Sequence, residues 1–127
     1  MRWTFLTYRT VAGDDEINAW YQSLSEADQA KVRVRLEYLR DQPRDGWLRP
    51  YFDALSGKCA GLGEIRFKID RTQIRLVGFF GPERMQFAIV KVAAEKDNKF
   101  VPKDTCKIGQ KRKSEIIDDP EKCDDWF

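Results

Sequence analysis

GLGEIRFKIDRTQIRLVGFFGPERMQFAIVKVAAEKDNKFVPK, residues 61–103, is the stretch whose reading decides the fold. It holds three strand-like runs, with charges at alternate positions where a plain sheet would carry neutral side chains. Glu64, Arg66 and Lys68 alternate with Ile65, Phe67 and Ile69. Successive strand residues point to opposite faces, so the two sets lie on opposite sides. If one side of a hairpin is buried, Ile65, Phe67 and Ile69 must share it with Ile74 and Leu76. That pairs Ile69 with Thr72, Phe67 with Ile74 and Ile65 with Leu76, and leaves Asp70–Arg71 as a two-residue turn. The same register sets Arg66 directly opposite Arg75 on the other face. Like charges so placed repel. They call for a bridging carboxylate, with Glu64 and Asp53 as candidates, or for an anion from outside.

Working outward, Gly81–Pro82 makes the next turn, and Met85 to Val92 is nearly continuous in apolar residues, as a central strand is. Lys91 interrupts it at a margin. Upstream, Arg2 to Tyr8 predicts a first strand with Trp3, Phe5 and Thr7 on one face. Asp14 and Asp15 offer an N-cap after Gly13. Ile17, Trp20, Tyr21 and Leu24 then follow helical spacing. Ser25 and Asp28 resemble a capping box, and Val32, Leu36 and Leu39 stripe a second helix that ends before Pro43. Both stripes are read as core. Arg44 to Ala60 has loop composition, with Leu48, Tyr51, Phe52 and Leu55 as anchors. Pro102 fits the first turn of a last helix, with Lys103, Lys107 and Lys111 on one face. The predicted fold is α+β, in the order β-α-α-β-β-β-α: a mostly antiparallel sheet, a helical hairpin on one face and a C-terminal helix.

The totals bound the function. With 127 residues the chain makes one domain, expected over residues 1–114. Residues 115–127 hold six acids (Glu115, Asp118, Asp119, Glu121, Asp124, Asp125) against Lys122 alone, and are expected to form a flexible acidic tail. One hypothesis folds that tail back onto the basic block before it, Lys96 to Lys113, in competition with RNA. No apolar run approaches the about 20 residues of a membrane span, and the N-terminus has no secretory pattern, so a cytoplasmic protein with no membrane role is expected. No histidine is present, so acid–base chemistry would fall to Glu, Asp, Lys, Tyr or Cys. Cys59, Cys106 and Cys123 lack metal-ligand spacing; three free thiols, no metal and no cofactor are expected.

The run Leu62-Gly63-Glu64-Ile65-Arg66, then Ile74-Arg75-Leu76-Val77, an apolar strand, and Glu95-Lys96 leading through Lys99 to Pro102 resembles the RelE/ParE toxin superfamily, most closely its HigB-like, phage-derived branch. Gly63 stands where that family commonly has Tyr or Trp, and Glu95-Lys96 replaces a lysine pair. The resemblance implies the toxin of a type II toxin–antitoxin pair, partnered by a small DNA-binding antitoxin. It implies a ribosome-dependent endoribonuclease that enters the A site and cuts mRNA by 2′-hydroxyl attack. By position, Arg75 corresponds to the phosphate-binding arginine, Arg66 to a basic position on the preceding strand and Lys96 to a later cation. Asp53 or Glu64 would be the nearby carboxylate, and the base would be one of these or a lysine of depressed pKa. Lys68, Lys91, Lys99, Lys103, Lys107 and Lys111 are the expected RNA-binding residues. A gyrase inhibitor of the ParE kind and a non-catalytic protein binder are the alternatives.

Overall fold

The computed structural model describes residues 2–127. Its elements are β1 (Thr4–Tyr8), α1 (Glu16–Ser23), α2 (Glu26–Arg40), β2 (Phe52–Ala54), β3 (Gly63–Ile69), β4 (Thr72–Phe80), β5 (Gln86–Lys96), β6 (Lys99–Val101), α3 (Thr105–Asp118) and β7 (Cys123–Asp125). The predicted α+β class and mostly antiparallel sheet are present, and three short strands join the four expected. The sheet runs β2-β3-β4-β5-β1-β7, with β6 paired to β5. Only β1 against β5 is parallel among the pairs described. Among the described residues no helix is long and apolar enough to cross a membrane.

The helices begin where their caps predict. Asp15 accepts from the Asn18 amide and Ser25 from the Asp28 amide, satisfying donors that the first turn leaves free. Ile17, Tyr21, Val32, Leu36 and Leu39 are buried, while Trp20 and Leu24 pack at the core's margin. Alternation then separates the two sides of the sheet. Val34 and Arg35 of α2 border the same groove as Phe67. Val77, on the opposite side by register, lies under Gly109 of α3. The charged face is thus the one α3 shares.

Four expectations are corrected. The acidic end is no loose tail: β7 pairs with β1 through Leu6–Asp125, Thr7–Asp124 and Tyr8–Cys123, and Trp126 and Phe127 pack edge-on against Tyr21. Its apolar residues, Cys123, Trp126 and Phe127, outweigh the charge signal once β1 offers an edge. Cys59 and Cys106 are joined in a disulfide, Cα atoms 5.0 Å apart, leaving Cys123 free. Sequence spacing could not show it, because the turn at Gly57–Cys59 meets α3 only in the fold. In the loop after α2, Leu48 is exposed and Trp47 is the anchor, set among Trp3, Phe5, Phe52, Phe80 and Phe87. Finally, α3 starts at Thr105 rather than at Pro102, whose carbonyl accepts from the Thr105 amide and hydroxyl.

Candidate anion site on the sheet face

The β3–β4 hairpin has the register that alternation requires: Ile69–Thr72, Phe67–Ile74, Ile65–Leu76 and, on the other face, Arg66–Arg75. Asp70 takes a positive φ of 55° in the turn, a conformation aspartate tolerates. The repulsion between the two arginines is relieved from within. Arg66 Nη1 donates to Glu64 Oε2, and Arg75 Nε lies 3.7 Å from the same oxygen. Glu64 is therefore the bridging carboxylate.

The two arginines differ in what remains open to a ligand. Arg75 is 2% exposed. Its Nε also donates to Glu95 Oε1 at 3.2 Å, its Nη1 to the Ile74 carbonyl at 3.0 Å and its Nη2 to Gln73 Oε1 at 3.4 Å. The Arg66 side chain is 17% exposed, and among the described residues Glu64 is its one ion-pair partner. An incoming anion would meet Arg66 first, with Arg75 behind it.

Glu64 is only 3% exposed. Burial pushes its carboxyl above the ordinary range, Arg66 and Arg75 pull it back down, and the charge of Glu95 adds to the rise. A carboxylate so placed holds a proton more readily than a free one and can take or return it.

The remaining predicted residues divide. Asp53 sits across from Glu64 on β2, on the same face, but Arg49 Nη2 donates to it at 2.8 Å. Lys68 shares the face of Arg66 and is exposed. Lys91 instead donates to Glu16 Oε1 at 2.8 Å, and Arg112 Nη2 to Glu16 Oε2 at 2.9 Å, so Lys91 serves as a tie between β5 and α1. Their combined pull holds the Glu16 carboxyl at about 2, against the penalty of burial. Register pairs Gln73 with Glu95, which puts Glu95 on the face of Arg75 and turns its neighbour Lys96 to the other side. Lys96 and Lys99 face each other across the β5–β6 hairpin. Lys103, Lys107 and Lys111 are exposed at and before the start of α3 and along it.

Sequence reasoning passed over Glu95, Gln73 and Arg49 as members of this cluster. Alternation carried one strand further would have found Glu95. The obstacle was the β-bulge between Val77 and Gly78, which shifts the β4–β5 register and is invisible to a period-two count. Gly63, which departs from the resembled pattern, also has a local cause. A Cβ there would run into the Phe52 ring, so Phe52 fills the space that a larger side chain at 63 would need.

An α+β domain with a carboxylate bridging two arginines on a partly open sheet face is the class these observations define. Residues 19–114 match the family described as phage-derived protein Gp49-like (DUF891), and the chain belongs to that family. No curated protein and no solved structure matches the chain.

Proposed function

We propose that this protein is the toxin of a type II toxin–antitoxin pair, of the HigB-like phage-derived kind, and that it acts in the cytoplasm as a ribosome-dependent endoribonuclease. Membership of the Gp49-like family, whose members are commonly RelE-like toxins, supports the coarser part of this reading. The observation that carries the finer part is Glu64, buried and bridged to Arg66 and Arg75. In A-site mRNA, Glu64 takes the proton of the 2′-hydroxyl, which attacks the adjacent phosphorus. Arg66, backed by Arg75, neutralises the charge that gathers on the equatorial oxygens. Arginine suits that task because its fork is always charged and binds oxygens in pairs. As the 2′-oxygen bonds to phosphorus the bond to the 5′-oxygen breaks, that oxygen takes a proton from solvent, Glu64 keeps the proton it took, and a 2′,3′-cyclic phosphate remains. Glu64 is preferred to Asp53 as the base, since it is the carboxylate that lies against both arginines and burial raises its carboxyl above the ordinary range. Lys68, Lys103, Lys107 and Lys111 supply phosphate contacts along the strand, and a cognate antitoxin restrains the protein.

The test is cleavage of programmed mRNA on purified ribosomes, with product ends assigned chemically. Cyclic phosphate ends, formed at least about 10²-fold more slowly by Glu64→Gln, are expected. Equal rates for the two proteins would remove Glu64 from the reaction. A second reading, a non-catalytic member acting by protein binding, is favoured by one feature: each nitrogen of the Arg75 guanidinium already donates to a partner within the chain.

A further inference from the structure

Glu95 is the feature the proposed reaction leaves without a task. It lies at the outer end of β5, and its Oε1 accepts from Arg75 Nε at 3.2 Å. The other carboxylate on Arg75, Glu64, is 3% exposed, whereas the Glu95 side chain is 26% exposed. Glu64 thus closes Arg75 from within, and Glu95 closes it on the side toward solvent. Glu95 stands opposite Phe100 in the β5–β6 hairpin and opposite Gln73 on β4, so its backbone is fixed on two sides while its head group borders water. A carboxylate held against a guanidinium in this way occupies the position that one edge of a phosphate would take, because both anions accept the same donors.

We infer that Glu95 is an internal competitor for the phosphate, occupying the solvent side of Arg75 and setting how tightly this face binds a phosphodiester or phosphomonoester. The inference rests on the reading of the face as a phosphate site and assigns a residue that tunes it. Removing the Glu95 charge weakens the hold on Arg75 Nε, which Glu95→Gln leaves to a neutral acceptor and Glu95→Ala leaves open, and deletes a negative charge that repels the ligand. Arg75 stays compensated, since Glu64 remains 3.7 Å away, so the strand is expected to hold.

The experiment titrates uridine 3′-monophosphate into the full chain and its variants, following the Arg75 Nε–H resonance by NMR and affinity by calorimetry. Glu95→Gln is expected to bind at least about tenfold more tightly than the parent, with the Arg75 resonance moving on titration. Glu95→Asp, which keeps the carboxylate, is expected to stay within about threefold of the parent. Glu95→Ala repeats the test should the amide disturb the hairpin. Glu121→Gln, which removes an equal charge from an exposed site on the turn before β7, is expected to change nothing. Unaltered affinity in both Glu95→Gln and Glu95→Ala, an unmoved Arg75 resonance, or an equal gain in Glu121→Gln would overturn the inference. A gain confined to the Glu95 variants supports it even if no variant cuts RNA, a result that would sink the endoribonuclease reading alone.

Discussion

Glu64 and Glu16 sit at opposite ends of the same electrostatic rule. The Glu16 carboxyl is lowered from 4.5 to about 2 by Arg112 and Lys91. A lowered folded-state value stabilises the fold above the unfolded value and is lost as pH falls from about 4.5 toward 2. The full shift would be worth about 3 kcal/mol, but the side chain is 41% exposed, and solvent screening reduces this to on the order of 1 kcal/mol. Glu16→Gln should lower stability by that amount at pH 7 and flatten the loss between pH 4.5 and 2, as urea unfolding at stepped pH would show. Glu64 carries the opposite sign. Its folded value is raised, so its ionisation costs stability as pH rises above the ordinary carboxylate value. Glu64→Gln removes that cost together with the charge that offsets Arg66 and Arg75, so a melt at neutral pH must show the variant folded before a loss of activity is assigned to chemistry. The Glu64 bridge was legible in the residues because charge alternation is local. The full set of partners on Arg75 was not, because Glu95 reaches it from a third strand.

At the scale of elements, the hairpin was read to the residue because both its strands bury one face and its turn is two residues long. The chain end was misread. Charge counting describes solvation, whereas β7 is held by backbone pairing to β1 and by two aromatic residues against Tyr21. Deleting residues 123–127 should lower stability by at least about 2 kcal/mol, or roughly 8 °C in Tm; a flexible tail would leave the melt unchanged. The contact of Gly63 with Phe52 is equally testable. Gly63→Ala should cost about 1–3 kcal/mol by overpacking, and less than half of that in a Phe52→Leu background, because the crowding ring is then gone. Additive losses in the double variant would show that the strain lies elsewhere. The Cys59–Cys106 bond fastens the turn before β3 to α3, where Gln110 also donates to the Lys58 and Ala60 carbonyls and Lys113 to that of Gly61. Three residues of the same helix, Cys106, Gln110 and Lys113, thus fix the approach to Glu64.

For the whole molecule, a net charge of +2 conceals a division of labour. Lys91 and Arg112 converge on Glu16 and join β5, α1 and α3, while Lys68, Lys103, Lys107 and Lys111 stay exposed. The paired cations hold the fold, and the exposed ones are available to a polyanion. The central claim is that the Glu64–Arg66–Arg75 face cuts RNA on the ribosome. It is tested most directly by inducing the chain in a bacterial host beside Arg66→Ala and Glu64→Gln, and mapping mRNA 5′ ends in phase with the A site. The account predicts growth arrest with A-site-phased cleavage for the parent chain, and neither in the two variants at equal protein level. Arrest with intact mRNA, or phased cleavage undiminished in both variants, would contradict it.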